Sequence, residues 1–237
     1  MPLLAPLDKI VLFGDSITEL SSNQKHGFGL APALQHEYFR RLQVITHGYG
    51  GYNTEHGRHL LDPILDVEMA GGHEIRLLTI FFGANDAADV SCTQRHVPVE
   101  RYAENLKYIV LRAQSRNIPV IIVAPAIASG GEESLLRGLS LRSHTYSEAA
   151  CSVAQALDVP IVDLWKAFSH HEQPSKLFTD GVHLNGLGYK AWYGLLLQTI
   201  RDRYPALRSE NMPCVLPGIF DIDNNNLPET LWQPHAA

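Results

Sequence analysis

The sequence holds only three cysteines in 237 residues, Cys92, Cys151 and Cys214, and no CxxC pair. An odd, scattered set of thiols builds neither a disulfide frame nor a zinc ribbon, and it fits a reducing, cytoplasmic setting. No stretch approaches the ~18 consecutive apolar residues that a helix needs to cross a bilayer, so no membrane span is expected. Basic residues are in deficit, with 19 Lys and Arg against 25 Asp and Glu and a net charge of −6. The broad positive field that nucleic-acid binding draws on is therefore missing. Neither GxxxxGK[ST] nor GxGxxG occurs, which argues against a nucleotide enzyme. The GxSxG elbow is absent too, which disfavours the α/β-hydrolase fold.

Metal chemistry also lacks its residue patterns. Of the 12 histidines, His56 and His59 sit one turn apart and His170-His171-Glu172 cluster locally. Neither set has HExxH spacing. Residues 221–225 resemble the opening of a calcium loop, but Asn226 stands where glycine is needed and Trp232 where the bidentate Glu is needed. No metal and no cofactor is expected. Residues 1–7 carry Pro2 and Pro6 and no basic residue, which does not read as a secretory leader.

What the chain does have is alternation. Short apolar runs at residues 9–13, 44–46, 76–82, 119–124 and 160–162 read as strands. Between and after them, amphipathic stretches at 29–42, 55–65, 99–115, 139–157 and 186–204 read as helices. The run RLLTIFF at 76–82 is nearly continuous in apolar residues, as a central parallel strand covered on both faces requires. Strand–helix alternation with right-handed crossovers predicts a three-layer α/β/α sandwich. Its five-stranded parallel sheet takes the flavodoxin-like order 2-1-3-4-5. Residues 1–205 form this domain. Residues 206–237, with four prolines and no periodicity, are expected as an extended tail on the domain or on a partner subunit, and a homodimer through it is one option. Residues 128–138, rich in Gly, Ser and Glu, read as a surface excursion that could act as a lid.

In such sheets ligands gather beyond the carboxyl ends of the strands, where the strand order reverses. Four small polar loops fall there: Gly14-Asp15-Ser16, Gly48 to Asn53, Gly83-Ala84-Asn85-Asp86 and Asp180-Gly181-Val182-His183. Each alone is also the pattern of a turn or a helix cap. Together they hold a complete chemistry. Ser16 is a hydroxyl that needs a base, His183 can be that base, and Asp180 is close enough in sequence to orient its imidazole. The backbone N–H groups of Ser16 and Gly51 and the side-chain amide of Asn85 are suitable donors for an oxyanion. Ile17, Tyr49, Tyr52, Ala126, Ile127 and Val182 lie beside these loops and could hold an acyl chain.

These four blocks, in this order and spacing, resemble the signature blocks of the SGNH, or GDSL, hydrolases over about residues 9–204. The resemblance implies Ser16 as nucleophile, His183 as base, Asp180 as its partner, and Gly51 and Asn85 as oxyanion donors. It also implies the same α/β/α sandwich. Residues 10–18, IVLFGDSIT, and the tail segment 220–229 are similar to the branch that hydrolyses isoamyl acetate. The chain departs from that branch at Thr46-His47, where an Asn-Arg pair is usual, and at Phe220, where the tail usually has tryptophan.

The expected activity is hydrolysis of small, acetate-type carboxylic esters through an acyl-enzyme. Lysophospholipase, thioesterase and carbohydrate deacetylase are alternatives within the family. A non-catalytic flavodoxin-like binding module is the alternative outside it.

Overall fold

The computed structural model describes residues 7–127 and 134–232, without the side chains of 134–141 and 232. Five strands form one parallel sheet: β1 (Asp8–Asp15), β2 (Leu42–Tyr49), β3 (Ile75–Phe81), β4 (Val120–Ala124) and β5 (Ile161–Asp163). Their order is β2-β1-β3-β4-β5, as the alternation predicts.

Side chains along each strand alternate between two cores, because successive Cβ atoms point to opposite faces. Val11 and Phe13 of β1, with Leu78 and Ile80 of β3, face one layer. That layer is α3 (Thr54–Glu68), α4 (Val99–Gln114) and α5 (Ser134–Ala156). Ile10 and Leu12, with Leu77 and Phe81, face the other. That layer is α2 (Leu30–Glu37), α6 (Leu164–Ser169) and α7 (Gly186–Arg203). Phe81 and Trp192 meet edge-on at 4.8 Å between ring centroids, both fully buried. Among the described residues no helix is long and apolar enough to cross a membrane.

The structure differs from the sequence reading at several boundaries. β2 is longer than residues 44–46 suggest, because it is an edge strand whose half-covered residues carry a weak apolar signal. The second helix stops at Glu37, and Leu42 opens β2 instead of closing the helix. Arg40, in the left-handed region at φ 60°, turns the chain there. The four-residue helix α1 (Ser16–Glu19) and the short helix α6 are too brief for periodicity to reveal. Asp163 caps α6, its Oδ1 accepting from Lys166 N at 2.8 Å, as its position at the end of β5 suggests.

Of the expected excursion at 128–138, residues 128–133 lie outside the described residues, and the remainder opens α5. The tail carries short helical turns, ending in α8 (Leu227–Trp232). Its first part is tied to the turn after α2. Tyr38 Oη donates to Leu207 O at 2.8 Å, Arg41 Nε to Met212 O at 2.9 Å, and Val215 N to Arg40 O at 2.9 Å.

Phe81 joins the central strand to the α7 layer. Phe81→Ala should cost about 3–5 kcal/mol through lost burial and a residual cavity. Urea unfolding of the two proteins measures the difference, which should appear as a lower midpoint at an unchanged slope.

Candidate active site

β1 has β2 on one side and β3 on the other, so the loops leaving these three strands face one another at the switch point. At the end of β1, Asp15 adopts an extended conformation and its Oδ1 accepts from Ile17 N at 2.9 Å. This cap starts α1, and Ser16 is its first residue, only partly buried.

The last residues of β2 and the loop that follows pass directly beneath α1. A Cβ on Gly48 would lie 2.0 Å from Glu19 N, so only glycine fits. Glu19 Oε2 accepts from Gly50 N at 2.5 Å. Gly51 follows in the left-handed region at φ 79°, with no atom near its missing Cβ. Its requirement is conformational, since that region disfavours any residue with a Cβ. Asn53 then caps α3, exchanging hydrogen bonds with His56.

The loop after β3 is stapled to this one. Asn85 Nδ2 donates to Tyr52 O at 2.8 Å, which spends one of its two N–H groups and fixes the direction of the other. The next residue, Asp86, accepts on Oδ1 from Thr54 N at 3.0 Å and Thr54 Oγ1 at 2.5 Å.

The fourth loop precedes α7. Asp180 Oδ1 accepts from the backbone N–H groups of Val182 and His183 at 3.0 and 2.8 Å. Its Oδ2 lies 2.6 Å from His183 Nδ1. The other ring nitrogen, Nε2, lies 2.9 Å from Ser16 Oγ. An acceptor carboxylate at Nδ1 assigns the ring proton there and leaves the Nε2 lone pair free to accept from the serine hydroxyl. Burial works to raise the Asp180 carboxyl. The hydrogen bond from His183 and the two backbone donors outweigh it and hold the group below the ordinary carboxylate range. The carboxylate therefore stays ionised and able to stabilise an imidazolium.

These groups border one cleft of about 540 Å³, lined among others by Ser16, Gly51, Asn85, Asp180, Val182 and His183. All five residues expected to carry the chemistry thus converge. The six expected at an acyl site do not. Val182 lines the cleft. Ile17 is buried in the core beneath it, while Tyr49 and Tyr52 stack on each other at 5.4 Å. Ala126 and Ile127 pack on the α7-side core. Arg142, from α5, also lines the cleft, and its Nε donates to Ala87 O at 2.7 Å. No local pattern marks it, because only the packing of α5 brings it there.

The α/β/α sandwich thus brings a hydroxyl, an imidazole and a carboxylate into line at its switch point. The comparisons define the class: residues 12–191 match the GDSL-like Lipase/Acylhydrolase family, and the chain belongs to it as a carboxylic ester hydrolase. Among its relatives, the isoamyl acetate-hydrolyzing esterase of Saccharomyces cerevisiae is 32% identical over 93% of this chain and 98% of its own. The human isoamyl acetate-hydrolyzing esterase 1 homolog is 30% identical over 90% of this chain and 88% of its own. A lipase/acylhydrolase from Enterococcus faecalis superposes with a TM-score of 0.66 at 26% identity, over 88% of this chain and 98% of that one.

The hydrogen bond at His183 Nδ1 has a direct readout. Its proton should resonate far downfield in the ¹H spectrum, and Asp180→Asn should remove that resonance while leaving the unfolding transition in place.

Proposed function

We propose that the chain hydrolyses small carboxylic esters, acetate esters first, through an acyl-enzyme on Ser16. The observation that carries this reading is the unbroken line Ser16 Oγ, His183 Nε2, His183 Nδ1, Asp180 Oδ2, with spacings of 2.9 and 2.6 Å. The preference for acetate is supported by the relatives that bear an isoamyl acetate-hydrolyzing name.

This arrangement supports the following course of reaction. As Ser16 Oγ attacks the ester carbonyl, its proton passes to His183 Nε2, and Asp180 stabilises the imidazolium that forms. The carbonyl oxygen, now an oxyanion, is met by the N–H groups of Ser16 and Gly51 and by the free N–H of Asn85. The imidazolium then protonates the leaving alcohol, which frees it and leaves the acyl group on Ser16. Water attacks the acyl carbonyl as His183 takes its proton, and return of that proton to Ser16 Oγ releases the acid. The cleft volume is in the range of small-molecule sites, and Val182 offers an apolar contact beside the reacting atoms.

A fluorophosphonate should label the protein once, on Ser16, as read by intact mass and peptide mapping. Ser16→Ala should abolish both labelling and hydrolysis of p-nitrophenyl acetate. Asn85→Ala should lower turnover by ~10²–10³, the usual cost of one oxyanion donor. Unlabelled protein with equal activity in Ser16→Ala would refute the proposal.

A further inference from the structure

The proposed reaction uses Ser16, Gly51, Asn85, Asp180 and His183, and it leaves other side chains of the cleft without a role. Two of these are arginines, Arg95 and Arg142. Arg142 belongs to α5, and Arg95 to the connection between β3 and α4. That connection covers residues 82–98, where strand-to-helix links usually take about 2–6 residues. It is folded back on itself. Cys92 N donates to Asp89 O at 2.8 Å, His96 N to Cys92 O at 2.9 Å and Val97 N to Asp86 O at 3.1 Å.

Both guanidinium groups are anchored through Nε. Arg142 Nε donates to Ala87 O at 2.7 Å and Arg95 Nε to Cys92 Sγ at 3.1 Å. The carbonyl of Arg95 accepts from Asn53 Nδ2 at 2.8 Å, which ties this residue to the loop that carries Gly51. The outer nitrogens are far less committed. Arg142 Nη1 faces Asp89 Oδ2 at 3.5 Å. Among the described residues no hydrogen bond takes Arg142 Nη2 or either Nη of Arg95, and Arg95 enters no ion pair.

The acids of the cleft are already engaged. Asp180 is bound to His183 and to its own loop. Asp89 Oδ1 accepts from Ser91 N at 3.0 Å and from Ser91 Oγ at 2.7 Å. A carboxylate entering the cleft therefore meets unspent N–H groups, set in the planar fork that binds a carboxylate at two points. Ala84 and Ala88 line the same cleft with small side chains, which leaves room for a short methylene chain.

We propose that Arg95 and Arg142 form an anion subsite in the cleft, and that the preferred substrate is the acetate ester of a hydroxy acid. The ester carbonyl lies at Ser16, and the carboxylate of the alcohol part lies on the two guanidinium groups. This assignment rests on the hydrolytic reading above and adds a charge to the substrate. Water then releases acetate and the free hydroxy acid. Arg95 and Arg142 set specificity and are not catalytic residues, since they stand outside the line from Ser16 to Asp180.

The test compares acetoxy acids with their neutral amides, from acetoxyacetate to 5-acetoxypentanoate, so that each pair differs in charge and hardly in shape. At its best chain length the wild type should favour the acid about tenfold in kcat/KM, the modest gain expected of guanidinium groups open to solvent. The preference should reside in KM and fall with added salt. Arg95→Gln and Arg142→Gln should each reduce it, and Arg95→Glu should favour the amide. Acid and amide are measured on one preparation, so a loss of folded protein leaves their ratio unchanged. Calorimetry on Ser16→Ala reads binding without turnover. That variant should bind the acid more tightly than the amide, and adding Arg142→Gln should remove the difference.

A ratio near one at every length, with equal binding of acid and amide to Ser16→Ala, overturns the subsite. So does a preference that survives in Arg95→Gln/Arg142→Gln. If the Arg142 variants do not fold, Arg95→Glu decides, since Arg95 is exposed, and an unchanged ratio there overturns the proposal. Tighter binding of the acid with no hydrolysis of either ester would refute the proposed reaction and leave the subsite standing.

Discussion

The hydrogen bond between Ser16 Oγ and His183 Nε2 joins residues 167 positions apart, and most of the fold exists in the space between them. Neither residue is held by the other. Ser16 is placed by the end of β1 and the cap of α1, and His183 by the loop that Asp180 closes ahead of α7. The bond can form only because β1 lies inside the sheet while α7 packs across one face of it. Tyr189 adds a direct tie, its hydroxyl reaching from α7 to the carbonyl of Ile17. The distance of 2.9 Å is thus a property of the sheet as much as of the two side chains.

Much of this arrangement is legible in the sequence. β1, β3 and β4 are central strands with both faces buried, so their apolar runs are strong and their boundaries fall within a residue or two. Ser16, Gly51 and Asn85 are legible because each stands a few residues past a strand end, and Asp180 and His183 because they share one short loop ahead of α7. What is not legible follows from local weakness or from distance. The edge strand β2 is half-covered, and α1 and α6 are shorter than two turns. The helix after Leu30 overruns in the sequence reading because Tyr38 and Leu42 continue its apolar spacing, and only the backbone at Arg40 breaks it. The acyl-site expectation is weakest where adjacency in sequence does not set direction. Ile17 follows the serine and points the opposite way, into the core.

The site also shows two kinds of carboxylate at close quarters. Asp180 has three donors around it and is held in its charged form. Asp15 and Asp86 have too few, and burial drives them toward the neutral form. The difference lies in donor count and depth, not in residue type. Membership in the GDSL-like lipase/acylhydrolase family makes the chain a carboxylic ester hydrolase, and these inner carboxyls, which do not line the cleft, belong to the scaffold around it.

The passage of Gly48 under Glu19 N acts as a ruler for the second strand. A one-residue slip of β2 against β1 would bring His47 or Tyr49 to a spot with room for a hydrogen atom alone. Side chains would also swap faces along the whole edge. The span from Leu42 to Gly48 is therefore metrically fixed: drift in length that surface segments tolerate would here jam a side chain against the helix that begins with Ser16.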